Sequence, residues 1–160
     1  MHSLNYIKFE PEDLDIYLKI VSSDSVMKYI TGRARSREEN IKRFKGILKA
    51  NTDHVKGGYF KIYDRGNVIG LGKLEYYDKE VDTIEVGYIL MEDYWGIGFG
   101  KTICKDLIQF ARINEMAKYI IGIIDRENIA SKRILMSNGL ESYFLGIEND
   151  LPTEKLRMKL

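Results

Sequence analysis

Three glycines in the segment DYWGIGFGKT have the spacing to bind a phosphate group. Gly96, Gly98 and Gly100 alternate at a junction that leads from a predicted strand into a predicted helix. Glycine permits unusual backbone angles there and lets main-chain N–H groups approach a ligand closely. The positive end of the following helix favours an anion at the same place. The segment therefore predicts phosphate binding, and a tight turn that binds nothing is the alternative.

Two nucleotide-binding patterns each fail by one position in this segment. The run GKT that starts at Gly100 supplies the end of the P-loop pattern G-x-x-x-x-G-K-[ST], but the first glycine of that pattern is replaced by Trp95. The dinucleotide pattern G-x-G-x-x-G requires its third glycine where Ile103 stands. Asp125 ends the apolar run YIIGIID and could imitate a magnesium-binding Asp. A P-loop nucleotide phosphatase therefore stays as a less favoured alternative.

The elements before the glycine segment are predicted from capping residues and hydrophobic periodicity. The first third of the chain is predicted to be helical, with one helix that starts at Pro11 and a second that starts at Ser36. Residues 59–91 then alternate between apolar and polar residues in three runs separated by turn signals. This alternation predicts an antiparallel meander of three strands.

The elements after the glycine segment alternate between helix and strand. A helix is predicted over residues 100–116, with Cys104 on its apolar face, and the apolar run at 118–124 predicts a buried strand. A second helix ends at Gly139, and two last strands follow it. The order of elements predicts a mixed α+β fold around one sheet.

Composition predicts one domain of ordinary size over residues 1–160. Lys and Arg number 25 against 24 Asp and Glu, so the strongly basic balance of a nucleic-acid-binding protein is absent. No apolar run approaches the roughly 20 residues that span a bilayer, and the first ten residues do not resemble a signal peptide. The single cysteine suits a reducing compartment. We therefore expect a cytoplasmic protein without a nucleic-acid or membrane partner.

Charges cluster in two regions, and a solvated surface is the favoured interpretation of both. The alternatives are a partner-binding patch for the basic region and attraction of a cationic amine for the acidic hairpin. The basic residues are Arg33, Arg35, Arg37, Lys42, Arg43 and Lys45, and the acidic residues are Glu75, Asp78, Glu80, Asp82 and Glu85. His2 and His54 are far apart in sequence, and no Cys/His cluster predicts a metal site.

The glycine segment resembles the acetyl-coenzyme A (acetyl-CoA) loop of the Gcn5-related N-acetyltransferase (GNAT) superfamily, usually written (Q/R)-x-x-G-x-(G/A). Trp95 replaces the usual Gln or Arg, which resembles the ribosomal-protein N-acetyltransferase-like branch. The segment IEVGYIL is similar to the pantetheine-binding strand of the family, and FKIYDRGNVIGLGKLEYY is similar to the hairpin before that strand. The segment ENIASKRILMSNGL resembles the later N-x-x-(A/S) helix. The four segments cover residues 59–140 in order.

The resemblance implies a GNAT-like fold, with a mostly antiparallel mixed sheet that contains a splayed strand pair and is flanked by helices. It implies transfer of an acetyl group from acetyl-CoA to a primary amine by direct attack on the thioester. The acceptor is left open among a protein N-terminus, a lysine and a small amine. The implied cofactor-binding residues are Ile89, Leu90, Met91, Gly96, Ile97, Gly98, Phe99, Gly100, Lys101, Asn128 and Ser131.

The resemblance also implies roles in proton transfer. Glu85 is the candidate base, acting through water, and a cross-strand salt-bridge partner is an equally weighted alternative. Ser131 matches a serine that assists the departing thiolate in the ribosomal-protein-like branch. Many family members carry a tyrosine acid seven residues after the asparagine, but Leu135 occupies that position here.

The missing tyrosine keeps a second function class open, which is a catalytically silent acetyl-CoA sensor or interaction module. The N-terminal helices are the expected source of acceptor selectivity. A homodimer is possible, because the late strands commonly form dimers in the family.

Overall fold

The structure is a computed structural model that describes residues 3–160, so His2 lies outside the described residues. None of the described helices is long and apolar enough to cross a membrane. In chain order the elements are β1 (Leu4–Lys8), a 3-10 turn (Pro11–Asp13), α1 (Leu14–Ile20), α2 (Asp24–Met27), α3 (Arg37–Asp53), β2 (Gly58–Asp64), β3 (Asn67–Tyr76), β4 (Thr83–Leu90), a 3-10 turn (Glu92–Tyr94), α4 (Phe99–Ile113), β5 (Tyr119–Asp125), α5 (Ile129–Ser137), β6 (Glu141–Glu148) and β7 (Leu151–Lys159).

The seven described strands form one sheet in the order β1-β2-β3-β4-β5-β7-β6. Every neighbouring pair is antiparallel except β4 and β5, which are parallel. The predictions of a mixed α+β fold and of a meander over residues 59–91 are confirmed, since β2, β3 and β4 pair in sequence order. Both predicted helices after the glycine segment are present as α4 and α5.

The prediction that the first third of the chain is helical is wrong at its start. Residues Leu4–Lys8 form β1, which pairs antiparallel with β2 at the edge of the sheet. The hydroxyl of Tyr6 donates a hydrogen bond to Asp106 Oδ2 at 2.8 Å and so joins β1 to α4. Because β1 has only five residues and one solvated face, its sequence contains too few apolar positions to show a period of two.

Helix α3 covers one face of the sheet together with α1. It starts as predicted after Ser36, whose hydroxyl accepts a hydrogen bond from Glu39 N at 3.2 Å while Glu39 accepts one from Ser36 N at 2.6 Å. Near its other end, Asn51 Oδ1 accepts a hydrogen bond from Tyr59 N at 2.6 Å, and Asn51 Nδ2 donates to Phe9 O at 3.2 Å. These bonds fix α3 against β2.

Helices α4 and α5 cover the opposite face of the sheet. The apolar face predicted for α4 is confirmed, since Ile103, Cys104, Leu107, Ile108 and Ala111 are all buried in one core cluster. That cluster also contains Leu135 from α5. The sheet therefore separates a core beneath α4 and α5 from a core beneath α1 and α3.

A buried ion pair anchors the start of the N-terminal helices to the sheet. Lys61 Nζ on β2 lies 2.6 Å from Asp13 Oδ2, and the exposed fractions of the two side chains are 9% and 8%. The same Asp13 oxygen accepts a hydrogen bond from Glu10 N at 2.7 Å. Helix α1 begins at the next residue, so this pair holds α1 in position over the sheet.

Removal of one partner should therefore cost more than removal of both. Asp13→Ala leaves the Lys61 ammonium buried without a counter-charge, and we expect the free energy of unfolding to fall by about 3–5 kcal/mol. The double variant Asp13→Ala/Lys61→Met removes the stranded charge and should recover part of that loss. Urea denaturation of the three proteins measures both effects. A double variant less stable than Asp13→Ala would contradict this assignment.

Candidate functional site

The sheet opens into a gap where β4 and β5 stop pairing. The two strands pair at three positions, Thr83 with Tyr119, Ile84 with Ile120 and Glu85 with Ile121. Beyond them β4 continues to Leu90 along β3, and β5 continues along β7. The two strands therefore diverge over their second halves, which is the splayed strand pair that the family resemblance implies.

Main-chain hydrogen bonding along β4 decides which residues face this gap. Met91 donates its N–H to Ile69 O at 2.9 Å, and bonded pairs recur at every second residue of an antiparallel ladder. Ile89 is therefore bonded to β3 as well, while Tyr88 and Leu90 direct their N–H and C=O groups toward β5. Of the three strand residues implied for cofactor binding, Leu90 faces the gap with its main chain, and Ile89 lines the cavity described below.

Trp95 satisfies one of these outward main-chain groups. Its indole N–H donates a hydrogen bond to Leu90 O at 2.7 Å. This bond occupies the carbonyl of Leu90 and leaves its N–H directed into the gap. Trp95 thus has a structural function at the end of β4, where the family pattern has Gln or Arg.

Strand β5 presents main-chain groups from the other side of the gap. Arg126 N donates to Pro152 O at 3.2 Å, and the same alternation assigns Ile124 to the ladder with β7. Ile123 consequently directs its main-chain N–H and C=O toward β4, and Asp125 directs its N–H there, while the Asp125 carbonyl accepts a hydrogen bond from Asn128 N at 3.0 Å. A gap with unpaired donors and acceptors on both sides can accept an extended polar chain as an added strand, because buried main-chain groups require hydrogen-bond partners.

A cavity of about 340 Å³ occupies the gap and extends beneath the N-terminal helices. It has two ends with different linings. The end next to α5, here called the α5 end, is lined by Tyr88, Gly122, Asn128, Ser131 and Leu135. The end next to α1 and α3, here called the α3 end, is lined by Tyr17, Arg35, Arg43, Tyr59, Lys73 and Glu85. Most of the sequence-predicted catalytic and strand residues are thus brought to one cavity.

The glycine loop adopts the backbone conformation that its sequence predicts. Gly96 and Gly98 have φ angles of +73° and +95°, in the region that favours glycine. The first intrahelical bond of α4 runs from Thr102 N to Gly98 O at 3.2 Å. The amides of Gly100 and Lys101 therefore have no acceptor within the helix, and they point out of its N-terminus as an anion-binding site requires.

The side chains of the loop divide into one anchor and an exposed rim. Phe99 is buried in the core, and its ring packs edge-on against Tyr94 with centroids 5.9 Å apart. Ile97 and Lys101 are exposed. Phe99 therefore fixes the loop, and any contact it makes with a ligand at this helix end comes from its main chain.

Helix α5 brings Asn128 and Ser131 to the cavity. Asn128 Oδ1 accepts a hydrogen bond from Ser131 N at 3.1 Å, so the predicted helix cap is present. Leu135 is buried and packs against β5, since a Cβ added at Gly122 would lie 2.6 Å from its Cδ1. No hydroxyl stands at the position where family members carry the tyrosine.

Tyr88 is a functional candidate that the sequence reasoning missed. Its hydroxyl is fully enclosed and has no well-formed hydrogen bond among the described residues. Burial raises the pKa of Tyr88 to about 12, and the side chain of Ser131 acts against that rise through a hydrogen-bonding interaction. Strand alternation was the available signal, because it places Tyr88 on the face opposite Glu85 and toward the helix that carries Ser131.

Glu85 lies at the α3 end of the cavity in an ion pair. Its Oε1 is 2.8 Å from Lys73 Nζ, and Glu75 Oε2 is 3.9 Å from the same ammonium. Gly87 stands directly opposite Lys73, and a Cβ there would lie 2.8 Å from Lys73 Cε. Because Gly87 has no side chain, the aliphatic part of Lys73 can lie over Gly87 and bring the ammonium to Glu85 on the same strand. The cross-strand salt bridge predicted as the alternative for Glu85 is formed, and the carboxylate also lines the cavity.

Two arginines from the basic region face the cavity rather than solvent. Arg43 Nη2 donates a hydrogen bond to the Tyr59 hydroxyl at 2.6 Å, and that hydroxyl donates to Glu75 Oε2 at 2.7 Å. Burial raises the pKa of Tyr17, and Arg43 and Arg35 both oppose the rise. The prediction of a solvated basic face is therefore wrong for Arg35 and Arg43, because α3 and the segment before it place the two side chains next to Tyr17 and Tyr59. The other four basic residues are exposed as predicted.

The remaining polar features have structural roles. Burial raises the pKa of the Cys104 thiol to about 12, which agrees with its prediction as a core residue. In the acidic hairpin, Asp82 pairs with Lys118 at 2.9 Å and Glu80 accepts a hydrogen bond from Tyr143 at 2.6 Å. No group of His, Cys, Asp and Glu within residues 3–160 has the arrangement of a metal site.

A protein-family model described as "Acetyltransferase (GNAT) domain" matches residues 4–141. No curated protein sequence matches significantly.

Solved structures share the fold at low sequence identity. A RimL ribosomal L7/L12 α-N-protein acetyltransferase in complex with coenzyme A has a TM-score of 0.83 at 12% identity, covering 99% of this chain and 94% of its own. The aminoglycoside acetyltransferase AAC(6')-Ib with coenzyme A has a TM-score of 0.81 at 12% identity, with 98% and 95% covered. Spermidine N-acetyltransferase from Vibrio cholerae, with coenzyme A and spermine, has a TM-score of 0.79 at 16% identity, with 98% and 95% covered.

Proposed function

The chain belongs to the GNAT acetyltransferase family, and from that premise we propose that its cavity holds the thioester of acetyl-CoA beside a primary amine that receives the acetyl group. The observation that carries the proposal is the β4–β5 gap, where the N–H groups of Tyr88 and Leu90 point toward a space next to a helix N-terminus. Acetyl-CoA supplies an activated acyl group, so the chain has to bind it, orient it and move protons.

The phosphates of the cofactor bind at the glycine loop in this proposal. The amides of Gly100 and Lys101 point out of the N-terminus of the 15-residue helix α4. The helix dipole adds a partial positive charge at the same place. Main-chain groups contribute more than side chains to phosphate binding in this proposal, because Phe99 is buried and only Ile97 and Lys101 extend from the rim of the loop.

The pantetheine arm lies between β4 and β5, with its amides paired to the main-chain groups of the gap. The N–H of Leu90 then polarises the thioester carbonyl, since Trp95 already occupies the Leu90 carbonyl. Hydrogen bonds to a developing oxyanion commonly contribute the largest catalytic effect in acyl transfer. Asn128, beyond capping α5, offers its Nδ2 group at the α5 end of the cavity.

Glu85 accepts a proton from the attacking amine through water in this proposal. Its position at the α3 end of the cavity, across the gap from Ser131, supports the role. The ion pair with Lys73 uses Oε1 and leaves the other carboxylate oxygen for a water molecule.

Ser131 and Tyr88 assist the departing thiolate in this proposal. Ser131 stands at the α5 end of the cavity, and the enclosed Tyr88 hydroxyl lies next to it. Because Leu135 replaces the tyrosine of other family members, Tyr88 supplies the phenol from β4 instead of α5. The hydroxyl of Tyr88 orients Ser131 and holds a proton available for the sulfur.

The silent acetyl-CoA sensor remains the second candidate function. The Lys73–Glu85 pair and the leucine at position 135 favour it, since the pair occupies one oxygen of the candidate base and the leucine replaces the tyrosine of other family members. Both candidates bind acetyl-CoA, and release of coenzyme A that depends on an added amine occurs for the enzyme alone. The P-loop phosphatase loses its support, because the loop follows the last strand of an antiparallel meander and the chain belongs to the GNAT family.

Acetyl-CoA binding should depend on the backbone of Gly98. Gly98→Val forces a branched side chain into a φ of +95° and moves the loop amides, so we expect at least a tenfold loss of acetyl-CoA affinity in calorimetric titration. Gly66→Val is the matched control, because Gly66 has a φ of +83° in the β2–β3 turn, outside the cavity. Wild-type affinity in a folded Gly98→Val protein would contradict the loop assignment.

Loss of the Glu85 carboxylate should lower turnover without weakening acetyl-CoA binding. We expect Glu85→Gln to reduce kcat by about 100-fold, the usual contribution of a general base, with the largest loss at low pH where the amine is protonated. Glu80→Gln is the control, because Glu80 belongs to the same acidic hairpin but does not line the cavity. Equal turnover of Glu85→Gln and wild type across the pH range would reject Glu85 as the base.

Tyr88 and Ser131 should act on the same step. We expect Tyr88→Phe and Ser131→Ala each to lower kcat by about tenfold, and the double variant to lose no more than the larger single loss, since coupled residues are not additive. Because burial raises the pKa of Tyr88 to about 12, its effect should persist at every assay pH below 10. Tyr63→Phe on β2 is the control. Additive losses would place the two residues in separate steps.

A further inference from the structure

The α3 end of the cavity contains cationic groups that acetyl transfer from the cofactor does not require. We propose that the acceptor is an amine with a carboxylate close to its nitrogen, and that Arg35 and Arg43 bind this carboxylate. The inference rests on the proposed function and specifies its substrate class. Two sources of the same chemistry are a free α-amino acid and a peptide whose first residue is acidic.

Arg43 is held in a fixed position at the cavity wall. It is half-buried, its Nη2 donates to the Tyr59 hydroxyl at 2.6 Å, and its guanidinium carbon lies 5.2 Å from the centre of the Tyr59 ring. The Tyr59 hydroxyl is tied in turn to Glu75 at 2.7 Å. One hydrogen bond uses one of five guanidinium donors, so Arg43 retains donors for a planar anion.

Arg35 reaches the same region from the segment that precedes α3. Arg35 is half-buried and lines the cavity. Its charge, like that of Arg43, opposes the rise that burial causes in the pKa of Tyr17. Two guanidinium groups near one tyrosine give this end of the cavity a positive charge. A carboxylate placed there would receive charge-assisted hydrogen bonds from both arginines.

The acidic residues of the cavity do not neutralise this positive charge. Glu85 pairs with Lys73 at 2.8 Å, and Glu148 pairs with Lys155 at 2.6 Å. Neither Arg35 nor Arg43 forms a salt bridge with any residue in the described part of the chain. Asp125 lines the gap and accepts a hydrogen bond from Glu127 N at 2.8 Å.

Glu75 does not line the cavity, but it interacts electrostatically with Arg43 and accepts the hydrogen bond of the Tyr59 hydroxyl that Arg43 contacts. Burial tends to lower the pKa of Arg43, but Tyr59, Tyr17 and Glu75 together raise it. Glu75 also lies 3.9 Å from Lys73, so its charge is shared between two cations. Lys73, Arg35 and Arg43 therefore outnumber Glu75 and Glu85 at this end, and the excess is positive.

The phosphates of acetyl-CoA do not account for the two arginines. The glycine loop belongs to the N-terminus of α4, on the face of the sheet opposite α3. An anion at Arg35 and Arg43 has to come from the acceptor side of the gap. The aromatic and aliphatic lining there, which includes Met27 and Ile47, excludes water and strengthens the attraction.

The same positive charge selects the kind of amine. Cations near an ammonium group lower its pKa, which favours the neutral form that attacks the thioester. The α-amine of a peptide N-terminus, with an ordinary pKa of about 7.7–8.0, needs less help than a lysine amine at about 10.4. A polyamine would place further positive charge against Arg35, Arg43 and Lys73. The site therefore fits an α-amine with a neighbouring carboxylate and disfavours a polycation.

Acceptors paired with an amide counterpart test the inference: aspartate and asparagine amide differ at two carboxylates, and the Asp- and Asn-peptides differ at one. With acetyl-CoA saturating, coenzyme A release is measured for aspartate, for asparagine amide, for a peptide amide that begins with Asp, for the same peptide that begins with Asn, and for spermidine. The structure predicts at least a tenfold higher kcat/KM for each carboxylate-bearing acceptor than for its amide partner, mostly through KM. A direct comparison of kcat/KM for aspartate and for the Asp-peptide shows whether the acceptor is a free amino acid or the first residue of a peptide.

Variants identify the residues that read the carboxylate. Arg43→Gln and Arg35→Gln should each bring the acid-to-amide ratio of kcat/KM toward one, and Arg43→Lys should keep part of it because the charge remains. Arg37→Gln, exposed on the first turn of α3, is the matched control and should keep the full ratio.

Three outcomes contradict the inference, and they are distinguishable. The carboxylate site is rejected if the amides or spermidine are acetylated at least as efficiently as the acids. That result would leave the proposed acetyltransferase activity standing. Acetyl-CoA binding without coenzyme A release for any amine would reject the enzyme and the acceptor class together. A preserved acid-to-amide ratio in both Arg→Gln variants would reject Arg35 and Arg43 as its source.

Discussion

The early end of pairing between β4 and β5 is the constraint on which the rest of the site depends. A sheet normally satisfies its main-chain groups with the next strand, and after Glu85 and Ile121 that partner is missing. The cost is tolerated because each strand keeps its other neighbour, β3 on one side and β7 on the other. The result is a polar slot through the middle of the sheet, open to both faces.

Each face of the sheet gives that slot a different chemistry. On one face, α4 and α5 direct their N-termini toward it, with a glycine loop for anions and with Asn128 and Ser131 at its edge. On the other face, α1, α3 and β2 contribute tyrosines and cations. Two electrostatic anchors keep that second face in place, the buried Lys61–Asp13 pair and the hydrogen bonds of Asn51. Cofactor and acceptor can therefore approach one reaction centre from opposite sides.

The near-zero net charge of the whole chain does not reveal the paired charges on the face of the sheet that α1 and α3 cover. Lys73 crosses β4 over Gly87 and neutralises Glu85, while Tyr59 connects Arg43 to Glu75. The total of 25 basic and 24 acidic residues contains no trace of this arrangement. Among structures with the same fold, enzymes named for spermidine and for an aminoglycoside share the scaffold, so the fold alone does not decide the acceptor.

Local sequence signals predicted the elements whose patterns are strong. Strand alternation identified β2 to β4, the glycine spacing identified the loop, and the apolar stripe identified α4. The five residues of β1 were too few to show a period. The splay was implied by family resemblance alone, because periodicity describes single strands and not where two of them separate. Arg43 and Tyr88 were missed for a related reason, since their roles depend on neighbours from other elements, Tyr59 for the arginine and Ser131 for the tyrosine.

Amide hydrogen exchange in β4, resolved by residue and measured with and without acetyl-CoA, tests the central claim most directly. The Tyr88 and Leu90 amides face the gap, whereas the Gly87 and Ile89 amides are bonded to β3. We predict that Tyr88 and Leu90 exchange faster in the free protein and become protected when acetyl-CoA is added, while Gly87 and Ile89 change little. Unchanged exchange at Tyr88 and Leu90 with saturating acetyl-CoA would contradict the gap as the place where the thioester arm binds.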